Sequence, residues 1–76
     1  MEEMDCKHSR TGWARWDPDT EKLQIDFKDR SGEKVSTYEY EGFTAADWQR
    51  FLASFSRGSH FAEHIRPRFK GVKVWP

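Results

Sequence analysis

Between Phe43 and Ile65 the chain spells out two short helices and the break between them, and the residues before this stretch have to supply a surface for those helices to lie on. Thr44 is a strong N-cap: its hydroxyl can accept from an orphan backbone N–H, and Asp47 three residues on completes a capping box and suits the positive helix end. Phe43, just before the cap, is placed to close on Trp48 as a hydrophobic staple. Trp48, Phe51, Leu52 and Phe55 then fall at i, i+3, i+4 and i+7, a single apolar stripe. Arg57 in a last turn and Gly58 just past it read as a stop, with Ser59 capping a second helix at once. Phe61 and Ile65 give that second helix its apolar edge, and Pro67 limits its length.

The first half has the other period. Thr11 to Trp16 allows a strand with Trp13 and Arg15 on one face and Ala14 and Trp16 on the other. Asp17-Pro18-Asp19 makes a turn. Leu23, Ile25 and Phe27 alternate with Gln24, Asp26 and Lys28, the clearest strand pattern in the chain. After the loop Asp29 to Gly32, Ser36, Tyr38 and Tyr40 share the more apolar face of a third run. Short connections between three consecutive strands imply an antiparallel meander. The expected fold is a small two-layer α+β domain, a three-stranded antiparallel meander covered by two short helices in the order β-β-β-α-α. The tail, Phe69 to Pro76, either adds an edge strand or packs back. Residues 1–10, polar and without period, are expected to be a flexible segment ahead of a single domain at 11–76.

A domain of 76 residues buries only about 60% of the surface its unfolded chain exposes, so large side chains dominate its core. Here six Phe, four Trp and two Tyr must carry it. A single cysteine, Cys6, excludes an internal disulfide, and neither a signal segment nor a membrane-length apolar run is present, so the sequence predicts a cytoplasmic protein with no membrane partner. The formal net charge is zero but unevenly spread. Residues 1 to 56 hold eight Lys or Arg against twelve Asp or Glu, whereas residues 57 to 76 hold five basic residues against Glu63 alone. A basic segment on an otherwise acidic domain marks either an anion-binding face or a solvated end.

Asp17-Pro18, the strand Leu23 to Phe27, Tyr38-x-Tyr40-x-Gly42, the helix through Trp48 and Leu52, and Ser56-Arg57-Gly58-Ser59-His60-Phe61 followed by Glu63, Ile65 and Arg66 resemble the KTSC domain. That family is a short module found at the C-terminus of some lysyl-tRNA synthetases and as free-standing small proteins. The resemblance runs from about Ala14 to Phe69 and implies the family's fold; it transfers little about activity, beyond the company of tRNA synthetases that such domains keep. Arg15 stands where a small residue is usual, Phe43-Thr44 replaces a common Val-Pro, and Ala62 replaces a frequent Asn.

Three groups of residues could carry chemistry. His60, Glu63 and His64 match the spacing of an inverted zinc-protease motif, but a third ligand and a cleft are not evident, and Cys6 with His8 supplies only two ligands, so no metal is expected. The Gly58 break followed by Ser59 would free the N–H groups of Ser59, His60 and Phe61 for a phosphate, flanked by Arg57 and His60 and extended along a nucleic-acid backbone by Arg66, Arg68, Lys70 and Lys73. The same residues serve equally well as ordinary helix caps. Trp13, Arg15 and Trp16 form the third group. If Trp13 faces solvent, it offers a stacking platform with Arg15 beside it; if it faces the helices, it is core, the role expected for three of the four tryptophans.

With no nucleophile and base pair and no phosphate loop, the sequence predicts a non-enzymatic binding module without cofactor, recognising nucleic acid (RNA or tRNA) or a phosphate-bearing ligand through Arg57, Gly58, Ser59, His60, Arg66, Arg68, Trp13 and Arg15. The alternative is a protein-interaction factor, such as a virus-encoded inhibitor or a sponge for a signalling nucleotide. At this size a homo-oligomer is also plausible.

Overall fold

A computed structural model describes all 76 residues. It contains five strands: β1 (Glu2–Asp5), β2 (Thr11–Asp17), β3 (Lys22–Lys28), β4 (Lys34–Tyr40) and β5 (Gly71–Trp75). Two helical segments, α1 (Ala45–Ala53) and α2 (Arg57–His60), stand between β4 and β5, and α2 runs on into one wide π-helical turn, Phe61–Ile65. The strands form one antiparallel sheet in sequence order, and the helices lie across one of its faces. No helix is long and apolar enough to cross a membrane.

The α+β class and the three central strands agree with the sequence reading; the strand count does not. Glu2–Asp5, expected to be loose, pairs with β2 in the register Met4 opposite Ala14, and Met4 and Cys6 are buried. Its Met-Glu-Glu-Met-Asp pattern hides the period because only Met4 points to the core. The tail takes the edge-strand alternative, pairing with β4 from Tyr40 opposite Gly71 to Thr37 opposite Trp75.

Local chemistry fixes the turns. Asp17 Oδ1 accepts the Asp19 N–H at 2.9 Å, and Asp29 Oδ1 gathers the N–H groups of Ser31 and Glu33 and the Ser31 hydroxyl, so each carboxylate closes its own hairpin. Gly42, at φ 73°, supplies the left-handed residue that turns β4 toward the helices.

On the covered face Leu23 and Ile25 of β3 and Trp16 of β2 pack beneath Trp48 and Phe51 of α1. Trp16 and Trp48 stack at 5.9 Å between centroids. Each indole also ties the layers together: Trp16 Nε1 donates to the Phe43 carbonyl at 2.7 Å, and Trp48 Nε1 donates to a Glu2 carboxylate oxygen at 2.9 Å. Phe43 packs its ring on Phe51 and Phe69 rather than serving as the expected staple on Trp48. The capping box of Thr44 and Asp47 is present in both directions. Helix α1 stops earlier than its apolar stripe suggests, at a Ser54 cap, and leaves Phe55 fully exposed.

Candidate functional site

The helices do not cover the whole sheet. Toward β4 and β5 a cleft of about 360 Å³ opens between the sheet and the α2 segment, lined by Phe27, Tyr38, Tyr40, Phe61, Phe69, Gly71 and Arg66. Alternation along β3 and β4 puts Phe27, Tyr38 and Tyr40 on one face, and the π turn lowers Phe61 onto them. The rings meet edge to face: Phe27 on Tyr38 at 5.6 Å, Phe27 on Phe61 at 5.3 Å, and Tyr40 on Phe61 at 5.8 Å. Gly71 belongs to the same construction, because a Cβ there would strike the Tyr40 ring. Burial first, then the neighbouring Tyr38, pushes the Tyr40 phenol up to about 12 against the opposing pull of Arg66, so it stays a neutral hydrogen-bond donor. Arg66 has no ion-pair partner and is the cleft's one charged side chain.

A second cavity, of about 150 Å³, lies between α1 and the α2 segment and is bordered by Arg50, His60, His64 and Arg68 with Asp47. Phe69 walls both cavities. The His60 ring stacks on Phe51 at 5.5 Å and sits 4.9 Å from His64. Burial, then the nearby His64, holds the His60 ring below the ordinary imidazole range.

Of the basic-segment residues singled out from sequence, Arg66, His60 and Arg68 therefore reach cavities, while Arg57, Gly58 and Ser59 do not. The second helix begins three residues earlier than expected. Ser56, not Ser59, is the N-cap of α2, with its hydroxyl accepting the Ser59 N–H, and the His60 and Phe61 N–H groups bond to carbonyls of the preceding turn. The N–H groups expected to meet a phosphate are thus already used. Gly58 is no C-cap: it is buried inside α2 against the His8 ring, which a Cβ would strike. Arg57 turns back and donates to the Leu52 carbonyl at 3.3 Å, closing the end of α1.

Trp13 lies on the helix-free face and is 50% exposed. Arg15 does not lie on its indole; it forms a two-pronged bond to Asp26, at 2.6 and 3.2 Å, and Thr37 donates to the same carboxylate at 2.7 Å. Two tryptophans, Trp16 and Trp48, are core rather than three, because Trp75 is carried by β5 onto the open face with Lys34 4.3 Å from its ring centre. Cys6 joins the core, and His8 Nδ1 accepts the Arg10 N–H at 3.2 Å.

Of the cleft residues sequence reasoning singled out only Arg66: Phe27, Tyr38, Tyr40 and Phe61 were assigned to apolar faces with no binding role, Phe69 and Gly71 to no site, and Arg50 in the second cavity was missed. The alternation that turned Phe27, Tyr38 and Tyr40 inward was a usable signal; what it lacked was the position of β5, which makes an open edge of the layer into a walled cleft.

The KTSC domain family's sequence model matches residues 11–69. A crystal structure of a KTSC domain protein from Yersinia pestis superposes with a TM-score of 0.79 at 29% identity, covering 96% of both chains. No curated protein sequence matches this one. Its cleft-lining Tyr38-x-Tyr40, its helices and all but the two outermost strands fall inside the matched span, and the chain belongs to the KTSC domain family.

Proposed function

We propose that this domain is a binding module for a nucleic-acid strand or nucleotide, stacking a base against the rings of the aromatic cleft while Arg66 meets the adjoining phosphate. The observation that carries this reading is the cleft's composition, five aromatic side chains with one unpaired guanidinium at their edge. Aromatic rings hold any base by its π-face, and a guanidinium recognises phosphate by a two-pronged bond. Such groups bind; they do not supply a nucleophile or a base for catalysis. The basic run Arg66, Arg68, Lys70 and Lys73 lies on the cleft's own helix end and edge strand, where it supports the backbone contact.

Fluorescence anisotropy of a labelled single-stranded RNA and of tRNA over a salt series tests it. Affinity should fall steeply with salt. Arg66→Ala should lower the salt slope by about one, and Tyr38→Ala should cost about 1–3 kcal/mol of binding. Absence of binding at low salt, or binding that neither variant alters, overturns the reading.

A protein partner is the second reading, favoured by the half-exposed indoles of Trp13 and Trp75 on the open face of the sheet. Loss of RNA binding in Trp13→Ala but in neither cleft variant would place a nucleic-acid site on that face and count against the protein reading.

A further inference from the structure

The cavity between the helices has a chemistry of its own. Arg50 reaches it from α1, His60 from the end of α2, His64 from the π turn and Arg68 from the connection to β5. Asp47 also borders it, but both of its oxygens are engaged: Oδ2 accepts from the Thr44 N–H and hydroxyl, and Oδ1 from Arg50 at 3.1 Å. Glu63 lies outside, exposed, with its carboxylate 3.8 Å from His64 Nε2. Arg68 has no acidic partner at all. Two guanidinium groups and two imidazoles therefore face a small space with a single carboxylate; Arg50 is paired with it, so Arg68 is the cavity's unpaired charge. The walls are Phe43, Ile65 and Phe69, apolar surfaces that lower the local dielectric and strengthen any charge placed between them.

We propose that this cavity is a binding site for a phosphate monoester, held by Arg50 and Arg68 with His60 and His64 donating. Resting on the reading of the cleft, the site deepens it: Phe69 is the wall common to both, so a strand whose terminal base enters the cleft carries its 5′-phosphate to the far side of Phe69. Free phosphate offers the same chemistry, and two arms separate the sources.

In the first arm, inorganic phosphate is titrated into the intact protein at constant ionic strength while the ring signals of His60 and His64 are followed by NMR. Saturable shifts of both rings are expected, with His60 titrating at higher pH once phosphate is bound, because a bound dianion favours its protonated form. Arg68→Gln and His64→Gln, both exposed positions, should abolish saturation without lowering the melting temperature, whereas Arg66→Ala should leave it unchanged. In the second arm, a 5′-phosphorylated oligoribonucleotide is compared with its 5′-hydroxyl counterpart. A several-fold preference for the phosphorylated strand, lost in Arg68→Gln, identifies the strand end as the ligand. Saturable, Arg68-dependent phosphate shifts without that preference support the site with free phosphate as its source, even if RNA binding itself fails. Shifts that do not saturate, or that persist in both glutamine variants, overturn the proposal.

Discussion

The two faces of the sheet solve opposite problems with the same residue types. On the covered face Trp16 and Trp48 stack and vanish from solvent, and the polar N–H of each finds an oxygen. On the open face Trp13 and Trp75 stay about half exposed, and what is buried is polar: Asp26, 8% exposed, and Thr37, 3% exposed, under the side chains of Arg15 and Lys34. One face is held by apolar area, the other by a hydrogen-bonded ion cluster. The outer strands serve the faces unequally: β1 brings both Met4 and Glu2 to the covered face, Met4 to the core and Glu2 to Trp48, whereas β5 brings Gly71 to the cleft and Trp75 to the open face.

The contrast can be broken most severely at Trp48. Trp48→Ala removes a fully buried indole, its stack on Trp16 and its bond to Glu2, and should cost about 3–5 kcal/mol. Small domains are stable by only about 5–15 kcal/mol, so urea unfolding should show a midpoint lowered by a large fraction of the parent's value. A loss below about 1 kcal/mol would mean that the covered face is not where stability resides.

On the other face the corresponding residue is Asp26. Burial alone would raise its pKa, but the hydrogen bonds from Arg15 and Thr37 and the charges of Arg15 and Lys34 outweigh it and hold the carboxyl below the usual aspartate range. A depressed folded-state pKa contributes stability that is complete above the unfolded-state value, about 3.9, and is lost as pH falls through the lower folded value. Asp26→Asn should therefore cost about 1.5–3 kcal/mol at neutral pH, and the gap from the parent protein should narrow below about pH 4. Urea titrations of both proteins between neutral pH and pH 2.5 measure it. A gap that does not change with pH would assign the effect to shape and not to the ion cluster.

What could be read in advance follows the same division. The α1 cap was legible because Thr44 and Asp47 act within one turn, and the central strands because Leu23, Ile25 and Phe27 repeat over enough residues to set a phase. β1 was not, since four residues with one inward apolar side chain set no period, and β5 was open between two alternatives, since Val72 to Trp75 are all exposed and its pairing depends on a strand elsewhere in the chain. Gly58 misled for a related reason. A glycine beside a serine reads as a helix junction, but its smallness here answers to His8, fifty residues away in sequence. The cleft was half legible: the inward phase of Tyr38 and Tyr40 lay in the strand, while the walls at Phe69 and Gly71 required knowing where the tail goes.

The smallest effect is the most discriminating. Trp13 sits beside a shallow depression of about 290 Å³ that also touches Asp26, Lys28 and Lys34, and half of its surface is in water. If the open face is held by the ion cluster alone, Trp13→Ala should change stability by no more than about 0.5 kcal/mol, leave RNA affinity unaltered, and remove one of the emitters that acrylamide quenches. A cost well above that with binding intact would mean that the indole shields Asp26 from water and that the open face has a small core of its own. Unchanged stability with lost binding would instead make Trp13 the stacking platform and empty the cleft of its role, so this single substitution sorts structural cover from ligand contact on the face where the two are otherwise hardest to separate.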